Sequence, residues 1–173
     1  MHVATGQDTP LSHLAWLADG RIHGRNLPGE FLNGFTSNGE RYLALPHDVR
    51  EITIRDLATG MAMVSCDSEN IPGYDCDGNY RLMEAAALVS DDFVLAAVNT
   101  DDFASDFEEH LLLSTRSLRW QATADYSRDM TQNAIAATDG HGRWITTGQD
   151  TTVRLWQLPD SISDEVPGQL QLW

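Results

Sequence analysis

TGQDTTVRLWQL, Thr147 to Leu158, carries two signals in one short stretch. From Thr152 onward polar and apolar residues alternate, Thr152-Val153-Arg154-Leu155, the period of a strand with one covered face. Gly148-Gln149-Asp150 before it has the chemistry of a turn, since glycine tolerates positive φ and aspartate bonds nearby backbone amides. A second β-rich run, Arg143–Thr147, precedes the turn, so Ile145–Leu158 is predicted to be a strand–turn–strand hairpin. The word TGQDT also stands at Thr5–Thr9, inside HVATGQDTPLSHLAWLADG, and predicts a matching hairpin over Val3–Leu17. One word in the same setting near both ends of the chain calls for a search for repeats.

The middle of the chain keeps the rhythm. GFTSNGERYLALPHDVREITIRDLATG reads as a strand, an Asn-Gly turn, a strand ending near Leu45, and a strand through Ile52–Leu57. EAAALVSDDFVLAAVN followed by HLLLSTRSLRWQATADY repeats the plan with a long insertion, and IAATDGHGRWITTGQDTTVRLWQL is the last full copy. No segment has the period of an amphipathic helix. Units of roughly 40–45 residues with four strands each are the pattern of propeller blades.

TTGQDTTVRLWQL resembles the WD-repeat β-propeller family, whose units end in a strand of the form apolar-Arg-Leu-Trp-Asp. Elsewhere the match is partial. ITIRDL has Arg55-Asp56 at the Trp-Asp place, HLAWL has Ala15-Trp16, HLLLSTRSL has lost the pair, and Gln157 replaces the last aspartate. Family units often link a histidine, a turn aspartate, a strand Ser/Thr and the tryptophan. Thr147, Asp150 and Trp156 match three of these, and no histidine holds the fourth place, because His141 falls in a later turn. The resemblance implies an all-β, incomplete arc of about four four-stranded antiparallel blades, with strands a to d running outward from the axis. Residues 1–27 would supply strands b, c and d of a first blade, and 30–66, 83–125 and 133–173 three more. On this plan GQLQLW is the outer strand of the fourth blade, both TGQDT words are b–c turns, and strand a of the first blade is missing. Family discs usually close with about seven blades. The remainder would come from further polypeptide or from a second copy.

Composition narrows the functions. Net charge is −15, from twenty-six acids against eleven basic residues, all arginine. Without lysine there is no Walker-type phosphate loop, Schiff-base lysine or lysine general base. The acidity argues against a nucleic-acid partner and suits a basic protein partner or a cation. No stretch approaches ~18 apolar residues, so no membrane helix is expected. MHVATGQDTP lacks the basic head and apolar middle of a signal peptide, which sets a cytoplasmic expectation. Cys66 and Cys76 are too few for a zinc site; a disulfide would need an oxidising compartment, and free thiols are expected. His2, His13, His23, His47, His110 and His141 lack metal-ligand spacing and read as surface or strand residues. No catalytic motif is recognisable, so neither an enzyme nor a cofactor is expected.

Two segments read as insertions: Cys66–Tyr80, between the second and third units, and Asn99–His110, inside the third. In WD-repeat discs the d–a and b–c connections emerge on one face, which implies that the two meet above one blade. They carry Asp67, Glu69, Asp75, Asp77, Asp101, Asp102, Asp106, Glu108 and Glu109. Three readings fit this corner: solvated acidic loops, a docking surface for an Arg/Lys-rich segment with Phe103 and Phe107 as apolar anchors, and a calcium site at Asp75-Cys76-Asp77-Gly78-Asn79. The last lacks the acid spacing and closing glutamate of an EF-hand. The leading function is a non-catalytic protein-interaction scaffold presenting acidic loops. The alternative is a quinoprotein-like propeller binding pyrroloquinoline quinone and a metal on its axis, because DLATGMAMV and STRSLRWQA also resemble that family's repeats.

Overall fold

The structure, a computed structural model, describes residues 11–46, 50–74, 81–100, 108–126, 133–148, 151–159 and 168–171. All regular structure in them is β. A hairpin of β1 (Leu11–Ala18) and β2 (Arg21–Pro28) comes first. A four-stranded antiparallel sheet follows: β3 (Glu30–Phe35), β4 (Arg41–Pro46), β5 (Glu51–Asp56) and β6 (Ala62–Asp67). The third sheet has β7 (Arg81–Leu88), β8 (Phe93–Thr100), β9 (Glu108–Ser114) and β10 (Trp120–Asp125) in the same order. The fourth has β11 (Asn133–Thr138), β12 (Arg143–Gly148) and β13 (Val153–Gln157).

Three apolar layers hold these sheets in sequence order. Leu14, Leu27, Tyr42, Ala44 and Leu57 fill the first junction. Leu43, Ile52, Ile54, Leu88, Val94, Leu111 and Leu113, among others, fill the second. Leu95, Leu112, Ala122, Trp144 and Trp156 fill the third. The inner sheets are therefore covered on both faces. This explains why Tyr42-Leu43-Ala44-Leu45 and Val94-Leu95-Ala96-Ala97-Val98, all buried, are unbroken apolar runs. The result is an open arc of antiparallel sheets, the architecture of an incomplete β-propeller.

The innermost strands β3, β7 and β11 lie side by side, and each carries a bulge. Asn33 Nδ2 donates to the Ala86 carbonyl at 2.9 Å, and Thr138 Oγ1 to the Leu88 carbonyl at 2.6 Å. Gly34 has φ +117°, and a Cβ there would stand 2.9 Å from Leu88 Cβ, so the close approach requires glycine. The β3–β4, β7–β8 and β11–β12 turns interlock along one face of the arc. Ser37 donates through its amide and hydroxyl to the Asp91 carboxylate, and Gly142 N reaches the Val89 carbonyl at 2.7 Å.

Two expectations need correction. GQLQLW does not complete the fourth sheet: β14 (Gly168–Gln171) pairs in parallel with the outer edge of β10, Ala122 against Gly168 through Asp125 against Gln171. The first hairpin is not the outer half of a separate blade either. Only Gly29 separates β2 from β3, whereas a rim strand lies about 14 Å from the innermost one and a residue spans at most about 3.5 Å. β1 instead lies beside β3, and Arg25 of β2 reaches the carbonyls of Leu57 and Ala58 across the second sheet, at 3.3 and 2.9 Å. The hairpin expected at Ile145–Leu158 is present as β12 and β13. Its expected counterpart at Val3–Leu17, with Asp8, lies partly outside the described residues; from Leu11 that segment is β1.

Candidate functional site

The acid-bearing corner is built by the connection after β6. Asp67 ends the strand and takes the amide of Glu69 on its Oδ1 at 2.9 Å, while Asn70 N reaches the Asp67 carbonyl, so this carboxylate shapes a turn. Ile71 is buried in the junction between the second and third sheets. Pro72 then accepts from Trp120 N at 2.9 Å, covering the start of the outer edge of β10. Gly73 passes with φ +81°, its missing Cβ leaving room for the Arg119 side chain. Tyr74 packs against the Trp120 ring, centroids 5.7 Å apart, and its hydroxyl donates to Glu109 Oε2. Glu109 is the second residue of β9, where the second insertion re-enters the sheet. The first insertion thus touches the close of the second, Tyr74 against Glu109.

Asp67 and Glu69 are exposed and Glu109 is half-buried. Glu108 belongs to β9, but its side chain is outside the description. Asp75, Asp77, Asp101, Asp102, Phe103, Asp106 and Phe107 lie outside the described residues, as do Cys76 and the fragment read for calcium. Among the described residues no three His, Cys, Asp or Glu side chains converge as a metal-ligand set. Arg50, Glu51, Ser65, Cys66, Asp67 and Glu69 line an open groove of about 450 Å3 at the base of the corner. Cys66 is a free thiol, pushed up to about 11 by burial and by the nearby charges of Asp67 and Glu51. It is therefore a protonated, inert side chain at neutral pH.

A second constellation sits at the junction of the third and fourth sheets. Trp156 Nε1 donates to Thr146 Oγ1 at 2.9 Å, fully buried. Thr147, expected in this role, faces the opposite way and is exposed; alternation on β12 puts Thr146 and Trp144 on the packed face. Asp150 lies outside the described residues. Trp144 Nε1 donates to Tyr126 OH at 3.0 Å, and His110 Nδ1 stands 2.5 Å from the same oxygen. The Tyr126 ring tilts against Trp156, centroids 4.7 Å apart. Burial raises the tyrosine's pKa, which keeps its proton available to Nδ1. His110 is wholly buried. Its signal was its place two residues from Leu112 in a strand of leucines; Tyr126 gave none.

No family model matches the chain, and no curated protein does. Among solved structures it is similar to the Cps50 (Swd1) β-propeller domain of Myceliophteria thermophila. The TM-score is 0.40 and the identity 13%, over 86% of this chain. The chain spans 61% of the length of that domain.

Proposed function

We propose that this protein is a non-catalytic interaction scaffold of the WD-repeat kind, acting in the cytoplasm and presenting its acidic corner to a basic protein segment. The observation that carries the reading is the clasp of Tyr74 on Glu109. It brings the connection after β6 against the start of β9, the strand into which the second acid-bearing segment leads. The half-buried Tyr74, Trp120 and Cys66 beside it supply apolar surface.

The test is binding of an arginine-rich peptide, read by fluorescence anisotropy at rising salt. Affinity should fall by at least about tenfold from low to physiological ionic strength. Replacing 101–107 with a short turn should weaken binding by a similar factor at unchanged melting temperature, since surface connections tolerate shortening. The cut must spare Glu108 and Glu109, which belong to β9. Binding that ignores both salt and the deletion would overturn the proposal. A chromophore retained after incubation with pyrroloquinoline quinone and calcium would favour the quinoprotein alternative instead.

A further inference from the structure

The two end sheets of the arc each bear an uncovered apolar face. On the first hairpin, cross-strand pairing puts His13 with Asn26, Ala15 with Gly24, and Leu17 with Ile22 on the side away from the second sheet. Leu17 is 73% and Ile22 83% exposed. On the fourth sheet the outward rows are Thr147 with Val153, Ile145 with Leu155, and Arg143 with Gln157. Val153 and Leu155 are 67% and 65% exposed. None of these twelve residues is a carboxylate, in a chain whose acids outnumber its bases twenty-six to eleven. A solvated surface of this protein would carry acids; these two faces exclude them.

The faces are also complementary in kind. Each internal junction joins the trailing side of one sheet to the leading side of the next. The first hairpin leaves a leading side free, and the fourth sheet a trailing side. These are the unused halves of one repeated contact. We propose that the fourth sheet of one copy docks on the first hairpin of a second copy, and the reverse, so that two arcs close head to tail into one ring. Two arcs supply six sheets and two hairpins, a number of units within the roughly four to eight at which propellers close. Closure separates this arrangement from a head-to-tail filament, which the same contact produces when the rotation does not close. The inference is independent of the acidic corner, which lies between the second and third sheets.

Light scattering on the full chain at micromolar concentration should give a dimer. Leu17→Glu and Leu155→Glu each place a carboxylate in both contacts of such a dimer, and each should raise the dissociation constant on the order of a hundredfold. Mixing the two variants is the decisive measurement. One of the mixed pair's contacts then joins two unaltered faces, so association should recover in the mixture although neither variant associates alone. A misfolded variant would not regain a partner in this way. A monomeric parent chain, an open series of larger species, sensitivity to one substitution only, or no recovery on mixing would each overturn the ring.

Discussion

One hydroxyl serves two rings at the junction of the third and fourth sheets. Trp144 Nε1 can only donate, so the Tyr126 oxygen accepts from it, and the tyrosine's own proton is left to face His110 Nδ1. Tyr126→Phe keeps the packing on Trp156 and removes both bonds. It should cost about 1–3 kcal/mol, read from urea unfolding, because two buried ring nitrogens lose the oxygen they share. A loss under about 0.5 kcal/mol would mean that the hydroxyl contributes little. Trp156 was legible in the sequence because Arg-Leu-Trp marks its strand. The repeat resemblance points to Thr147, whereas Thr146 makes the bond, because alternation fixes which residues share a face but not which face is packed. Tyr126 follows the end of β10, where no period applies, and its partners come from β9 and β12.

At the scale of elements, the latch between the β3–β4 and β7–β8 turns is the contact most open to test. The Ser37 hydroxyl, with its amide and the charges of Arg41 and His141, holds the Asp91 carboxyl below its usual range. A carboxyl whose folded pKa is depressed contributes stability above its unfolded pKa, near 4, and loses it as pH falls through the folded value. The latch is largely solvent-exposed, so its contribution is held to about 0.5–1 kcal/mol. Asp91→Asn should flatten the acid limb of a stability–pH curve below about pH 4, with less change at neutral pH than on removing a buried group. An acid limb identical to that of the parent chain would show that the latch is not formed in solution. The strands β3 to β10 were readable from apolar runs and their turns. β14 was not placed correctly, because alternation in GQLQLW announces a strand without saying which free edge it takes. Its edge on β10 continues the cover that Pro72 begins. The plan built on TGQDT puts the first hairpin in an outer position, which the single glycine between β2 and β3 does not allow.

For the whole molecule, the kind of hydrophobic pattern tells where a sheet stands in the arc. The centres of β4, β8 and β9, Tyr42–Leu45, Val94–Val98 and Leu111–Leu113, are apolar without interruption, and their sheets are packed on both faces. β13 alternates, and its sheet is packed on one. The clean period that made Thr147–Leu158 readable is therefore also the mark of a terminal sheet. Degeneracy has a physical account too: where the last unit has Trp156, the second has Arg55, bonded to Glu30 at 2.5 Å and to the Gly60 carbonyl at 3.2 Å. A repeat search keyed to tryptophan passes over a place filled by an ion pair. The same geometry bears on stability. Burying a large aliphatic side chain stabilises by about 1.5–3 kcal/mol, and Leu17, Ile22, Val153 and Leu155 leave that term unused in an isolated arc. If a second copy covers them, folding and association are linked, and mass action makes the melting temperature depend on protein concentration. Calorimetric scans across about a hundredfold range should show the midpoint rising by several degrees, because linkage adds on the order of 2.7 kcal/mol at the upper end. The Leu155→Glu chain should melt at one lower temperature throughout that range. A parent midpoint independent of concentration would show that these faces stay bare in the stable form of the protein.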